Sequence, residues 1–359
     1  MGIAKLADLI RGDAPGSITY KEIGDYTGKI IALDTSIIMN QFRSAVPNLN
    51  LSLLGVFYRT LTFLEHDIKP VFVFDGDPPE QKRALLEKRA QSAGRSSAQR
   101  PHAGVSSQTK EFLRLLMLLG VPCVQAPSDA EAFCAQLVSS GVVDAVASED
   151  MDTLAFGGTV LLRQLNAKRV SEVMEYSLPK LLEILQLTQK EFVDLCILLG
   201  CDYCDKITGL GPSRALKLIQ QHRNIEDVML NINTKTHRVP LGWQYQAARK
   251  LFLDSPRSEL PHLQWSEPNE PELVNFLCQE KHLKLVFSRW CCVFGDQGGE
   301  GARADGEVPA ETRPQKEGER GGKGKGGRQT DQFGPILSCD TEKTVCRSRR
   351  IRNQEATED

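Results

Sequence analysis

Three short apolar runs in this chain each end on acidic residues, and that pattern limits the possible folds more than any other feature. Ile30-Ile31-Ala32-Leu33 is followed by Asp34, and Val71-Phe72-Val73-Phe74 by Asp75. Ala145-Val146-Ala147 is followed by Ser148, Glu149, Asp150, Met151 and Asp152. Short continuous apolar runs rich in β-branched and aromatic residues suit strands buried on both faces. Amphipathic stretches separate them, and strands alternating with helices make an α/β domain with a largely parallel central sheet flanked by helices. The expected strands are residues 29–33, 71–74, 121–124, 144–147 and 160–162. Helices are expected over 51–65, 79–90, 110–119, 130–139, 178–187, 190–199 and 212–222. In an open parallel sheet the carboxyl ends of the strands share one edge, where ligands bind. That edge would hold Asp34, Asp75, Asp150 and Asp152.

A single carboxylate after a strand is commonly a turn residue or a helix cap. Several in one crevice repel and raise one another's pKa unless a cation neutralises them. Oxygen donors without a matching histidine or cysteine set select a hard cation, Mg²⁺ or Mn²⁺, rather than zinc. Two such ions about 4 Å apart suit phosphate chemistry, because they can activate a water and hold the reacting phosphate. Asp129 and Glu131 open the expected helix 130–139 and could join the cluster. Ser128 and Glu131 also spell a capping box, so a purely structural role stays open for them.

Two further elements suit phosphate contact. Lys82 and Arg89 lie seven apart on the expected helix 79–90 and share a face, either as a clamp beside the acidic crevice or as a solvated basic surface with Arg83 and Lys88. Gly209-Leu210-Gly211-Pro212-Ser213-Arg214-Ala215 places two glycines before a helix, where backbone N–H groups can approach a phosphate. No strand precedes it and Arg214 fills the third small position, so it is not a dinucleotide fingerprint. A hairpin between two helices that grips DNA backbone without reading sequence fits better.

Bulk properties set the remaining bounds. With 359 residues, 41% of them hydrophobic, the chain can bury a substantial core. A net charge of −2 leaves any nucleic-acid contact to local patches. No apolar run is long enough for a bilayer and the first residues do not form a signal peptide, so an intracellular protein without membrane contact is expected. Leu6 stands where a myristoylation signal wants Ser or Thr. The ten cysteines are expected to be reduced thiols, and Cys201 and Cys204 lack the second pair that a zinc site needs. Twelve of the 29 glycines fall in the last 65 residues, which predicts a disordered tail. Its basic residues Lys323, Lys325, Arg347, Arg349, Arg350 and Arg352 read as a nuclear address. Residues 91–108, rich in Ser, Gly and Ala, read as a flexible loop.

Residues 1–280 resemble the flap endonuclease family. The strings that carry the resemblance are Met1-Gly2-Ile3, Asp34, Phe57-Tyr58-Arg59-Thr60, Val73-Phe74-Asp75-Gly76, Ala126-Pro127-Ser128 and Glu149-Asp150-Met151-Asp152. Leu199-Gly200-Cys201-Asp202-Tyr203-Cys204, residues 209–215 and Trp265-Ser266-Glu267-Pro268-Asn269-Glu270 complete them. The resemblance implies a structure-specific 5′ nuclease with two Mg²⁺ ions, or Mn²⁺ in their place, working in DNA replication and repair. One ion would be held by Asp34, Asp75 and Asp129 with Glu131 shared, the other by Asp150, Asp152 and Asp202. It implies catalytic phosphate roles for Lys82 and Arg89, and DNA contacts from Gly2, Arg59, Asp129, Gly200 and Asp202. It also implies a helix-hairpin-helix whose Gly209 and Gly211 grip duplex DNA, commonly through K⁺. The expected substrates are branched DNA with 5′ flaps and nicked or gapped DNA, cut by a monomer in the nucleus, with the mitochondrion as a second compartment. The expected organisation is an N-terminal nuclease region 1–90, a shortened cap loop 91–108, an internal nuclease region 109–290 and a tail 291–359.

The departures define a second expectation. Family members usually carry glutamate where this chain has Asp129, tyrosine at Asn40 and arginine at Pro47. The segment between Val46 and Leu51 is short, the cap is reduced, and no sliding-clamp box follows Gln329, which lacks paired aromatics. These favour a weak or inactive paralogue that still binds branched DNA. An aspartyl phosphatase would want a second Asp at position 36, where Ser36 stands.

Overall fold

The computed structural model describes residues 2–3, 5–36, 38–39, 49–83, 107–165, 172–254 and 258–283, all within the first of two units, residues 1–299. The expected tail, most of the cap loop, Asn40, Pro47 and Arg89 lie outside the described residues. The sheet contains β1 (Ile18–Lys21), β2 (Ile30–Asp34), β3 (Lys69–Phe74), β4 (Cys123–Gln125), β5 (Ala145–Ala147), β6 (Val160–Arg163) and β7 (Val173–Ser177), in the spatial order β1-β7-β6-β5-β2-β3-β4. From β6 to β4 the pairings are parallel, while β7 returns antiparallel to β6 and β1 antiparallel to β7.

The helices are α1 (Leu6–Asp13), α2 (Leu49–Glu65), α3 (Ser107–Leu118), α4 (Ala130–Ser139), α5 (Asp152–Ala155) and α6 (Leu178–Leu185). They continue with α7 (Gln189–Leu199), α8 (Pro212–His222), α9 (Ile225–Asn231), α10 (Tyr245–Leu253) and α11 (Glu270–Val274). Because side chains alternate along a strand, the central strands feed two cores. Ala32, Val71, Val73 and Val146 pack with Phe133, Leu137, Phe192 and Ile219 from α4, α7 and α8. Ile31, Leu33, Phe72 and Phe74 pack with Phe57, Leu61, Phe112 and Leu116 from α2 and α3. None of the described helices is long and apolar enough to cross a membrane.

Every expected strand and helix has a counterpart among the described residues; helices 130–139 and 212–222 keep both expected ends, and the other elements described in full have shifted ends. Helix 79–90 is described only as far as Arg83, which is helical. α3 starts at Ser107, so the last two residues of the expected loop are helical. β1 and β7 were not expected, because each interrupts its apolar pattern with polar side chains. In β7 the break is Glu175, which accepts hydrogen bonds from Lys21 Nζ at 2.9 Å and Tyr26 Oη at 3.0 Å.

Candidate metal centre

The parallel strands β2, β3 and β5 end at one edge, and the acidic residues stand there. Asp34 closes β2, Asp75 follows β3, and Asp150 and Asp152 follow β5. α4 begins beside them and adds Asp129 and Glu131. Asp75, Asp129 and Glu131 each place a carboxylate oxygen within 4.8 Å of the others, and so do Glu131, Asp150 and Asp152. Glu131 is common to both trios. Asp34 borders them through Ser148, whose Oγ donates to Asp34 Oδ2 at 3.2 Å and accepts from the Asp150 N–H at 3.0 Å. Asp202, in the turn after α7, belongs to neither trio.

Asp129 occupies the N-cap position of α4 but makes no capping bond. Its Oδ1 accepts from Lys82 Nζ at 2.9 Å and its Oδ2 from the Tyr203 hydroxyl at 2.7 Å. Lys82 Nζ also reaches Glu131 Oε1 at 3.1 Å, so Glu131 faces the cluster and the capping-box alternative is set aside. The helix end is served instead by Asp75, whose Oδ1 accepts from the Ala130 N–H at 2.8 Å. Ser36 donates its hydroxyl to the other oxygen of Asp75. The chain's N-terminal segment closes the far side. The Ile3 N–H donates to Asp152 Oδ1 at 2.8 Å, and Gly2 has φ +78° with no room for a side chain, since a Cβ there would lie 1.9 Å from Asp150 Oδ1.

Burial and mutual repulsion load this site with unfavourable negative charge. Burial pushes the Glu131 carboxyl up to about 8, against the pull of Lys82 and with the repulsion of Asp129, Asp34 and Asp150. Burial, then Asp150 and Glu131, hold Asp152 well above the usual carboxylate range. Burial also works against the Lys82 ammonium, but Glu131 and Asp129 together outweigh it and keep Lys82 charged. The two partners of the Lys82–Glu131 contact thus shift in the same direction: Glu131 lies deeper than Lys82 can compensate. Asp152 Oδ2 is buried and, among the described residues, has no hydrogen-bond partner. A bare oxygen in an all-oxygen cluster with excess negative charge suits a hard divalent cation, so the residues present fit Mg²⁺ or Mn²⁺.

The remaining site residues spread outward. Arg59, on α2, donates from Nη2 to the Leu165 carbonyl at 2.5 Å. Gly200 ends α7 with φ +104°. The turn that follows leads through Gly209 and Gly211 into α8, so the expected hairpin joins α7 to α8. Gly209, at φ +82°, is pressed against the Thr236 carbonyl, where a Cβ would sit 2.9 Å away. Gly211 has open space above it. Cys201 and Cys204 are buried free thiols with sulfurs 3.8 Å apart. Sequence reasoning assigned no role to Tyr203, Ser148 or Ser36. Tyr203 is an aromatic hydroxyl flanked by an acid and two cysteines, and only its burial against Asp129 reveals what it holds.

Comparison with known proteins agrees with this geometry. Residues 1–96 match the XPG N-terminal domain and residues 120–202 the XPG I-region. The chain is 70% identical over 286 residues to a probable flap endonuclease 1 homolog of Danio rerio, covering 79% of this chain and 81% of that protein. It is 44% identical over 314 residues to flap endonuclease 1 of Salmo salar, covering 78% of this chain and 83% of that protein. The catalytic core of Rad2 in complex with a DNA substrate shares the fold, with a TM-score of 0.66 at 24% identity over 77% of this chain and 95% of that one. On the extent and identity of these matches, the chain belongs to the flap endonuclease family.

Proposed function

We propose that the chain is a structure-specific 5′ nuclease that hydrolyses phosphodiesters at 5′ flaps and at nicks or gaps in duplex DNA, in nuclear replication and repair. The observation that carries this reading is the pair of carboxylate trios sharing Glu131, with Lys82 against them. Asp75, Asp129 and Glu131 would hold one divalent ion and Glu131, Asp150 and Asp152 the other, with Asp34 and Asp202 as outer members of the set. Bound there, Mg²⁺ or Mn²⁺ would supply charge neutralisation at the scissile phosphate and a lowered pKa for the attacking water.

The chain's own residues supply the rest. Lys82, kept charged by Asp129 and Glu131, stands ready to offset charge that develops on a phosphate brought to the edge. Tyr203 fixes Asp129 in place, which offsets the loss of the methylene that the usual glutamate would carry. Ile3 orients Asp152 through its backbone N–H. The hairpin at Gly209 and Gly211, with the N-terminus of α8 behind it, suits sequence-independent contact with duplex backbone, with K⁺ as an additional ligand of the same turn. Arg59 and Gly200 would contribute further DNA contacts.

Cleavage of end-labelled 5′-flap, nicked and single-stranded DNA by the purified chain in Mg²⁺ tests the reading, with Asp150→Ala as control. Cutting at the flap junction that disappears in the variant supports it. Binding to branched DNA without metal-dependent cutting would overturn it in favour of a DNA-binding paralogue.

A further inference from the structure

The hairpin does not stand alone on its surface. The loop between α9 and α10 folds back onto it, and the Thr208 N–H donates to the Arg238 carbonyl at 3.1 Å in an antiparallel bridge. Gly209 lies against the same loop, so that a Cβ on it would be 2.9 Å from the Thr236 carbonyl and 3.4 Å from His237 Nδ1. His237 is the residue that turns inward and is 5% exposed. Its neighbours Lys235, Thr236 and Arg238 therefore face outward and are exposed. Lys206, Arg214 and Lys217 are exposed on the hairpin and α8. Among the described residues, none of these five basic side chains forms an ion pair.

We infer that this loop is a second element of the duplex grip, with Lys235 and Arg238 contacting DNA phosphates beside those held by the hairpin. The inference rests on the duplex-binding reading above. Three observations point to a phosphate backbone as the ligand. The loop is hydrogen-bonded to the hairpin, so the two surfaces adjoin. Its exposed Lys235 and Arg238 have no acidic partner among the described residues. The space above Gly211 and the N-terminus of α8 favours an anion at the centre of the same face. A chain of net charge −2 has no general basic field, so a local group of unpaired cations is what a polyanion would find.

Counterion release makes the inference measurable. Each neutralised phosphate contributes about −0.9 to the slope of log K against log salt. The experiment is fluorescence-anisotropy binding of the full chain to a 5′-flap duplex in Ca²⁺ between 50 and 200 mM KCl. For Lys235→Gln/Arg238→Gln the slope should be shallower by about 1.8, so that affinity falls about twelvefold less over this range than in the wild type. A control, Lys69→Gln/Lys180→Gln, removes equal charge at the opposite edge of the sheet, where the exposed Lys69 opens β3. Lys180 lies near the start of α6, just after Ser177, which pairs with the first residue of β6 at the sheet edge opposite the acidic cluster. The control should keep the wild-type slope. A wild-type slope in Lys235→Gln/Arg238→Gln, or an equal change in the control, would overturn the inference alone. Failure of the wild type to bind any duplex would remove the duplex-binding reading, and this inference with it.

Discussion

Replacing Arg249 with methionine should destabilise the helical platform under the hairpin, and the structure indicates by how much. Asp194 on α7 has a side chain with no solvent exposure and takes Arg249 Nε on Oδ1 at 2.6 Å and Nη2 on Oδ2 at 2.7 Å. The Ile225 N–H adds one bond to Oδ2 at 3.1 Å. Arg249 also reaches Glu226, at 2.8 and 2.9 Å, but that side chain is 42% exposed and its share is screened to well under about 1 kcal/mol. Arg249→Met keeps the packing volume and leaves Asp194 buried with one backbone donor. Removing one partner of a buried pair costs about 3–5 kcal/mol, which lowers Tm by about 10 °C in a domain of this size. Circular dichroism melts at pH 7.5 measure it. Asp194→Leu/Arg249→Met should recover most of the loss, since a buried pair replaced by apolar groups is close to neutral. The pH dependence follows from the signs. Burial raises the Asp194 carboxyl even beside Arg249, and without Arg249 it rises further, so the variant's penalty is absent below about pH 4 and grows as pH rises. Glu226, lowered to about 2 chiefly by its hydrogen bonds from Arg249, stabilises the wild type more than the variant, and that excess fades as pH falls from about 4 toward 2. Both effects narrow the gap in acid. A single variant within about 1 kcal/mol of wild type at pH 7.5, or a gap that widens in acid, would refute the reasoning.

Three other outcomes are expected. Tyr203→Phe should lose about 1–3 kcal/mol in urea denaturation by leaving Asp129 Oδ2 without its donor, and an unchanged midpoint would show that the hydroxyl holds nothing. Gly2→Ala should slow single-turnover flap cleavage by at least about tenfold, at the scale of a misplaced catalytic group, because its Cβ must displace Asp150; an unchanged rate would mean that the segment swings aside freely. In EDTA, Tm should fall as pH rises from about 4 toward 8, because Glu131 and Asp152 are raised above their unfolded values and their favourable contribution is lost as they ionise. Added Mg²⁺ should remove that slope, and a slope indifferent to Mg²⁺ would count against a cation at these carboxylates.

The central strands were legible because the chemistry that buries them on both faces also writes continuous apolar runs. The acidic edge was legible for a related reason: strand ends in a parallel sheet converge, so residues far apart in sequence meet without any local signal of the meeting. β7 was hidden because Glu175 breaks its pattern, and a strand that satisfies a charge through Lys21 and Tyr26 looks like a loop in one dimension. Glu131 looked as much like a capping residue as a ligand, because both uses place an acid in the first turn of a helix. Its place among the carboxylates and its contact with Lys82 separate them. Tyr203 and the Ile3 N–H escaped notice because a hydrogen-bond donor acquires a role only once its acceptor's position is known.

Asp129 bears on whether the departure that the sequence resemblance marks at this position disables the chain. The shorter side chain would matter most if nothing else fixed its carboxylate. Both oxygens are fixed, one by Lys82 and one by the Tyr203 hydroxyl, and the group still falls within 4.8 Å of Asp75 and Glu131. Asp129 and Tyr203 are both buried, so a longer side chain at position 129 must shift at least one of these two contacts. Overpacking such a site typically costs about 1–3 kcal/mol. Asp129→Glu should accordingly break the contact with Tyr203 or with Lys82, and should leave flap cleavage equal or slower despite restoring the usual family residue. A rate increase of tenfold or more in single-turnover assays would mean instead that the aspartate is a lesion.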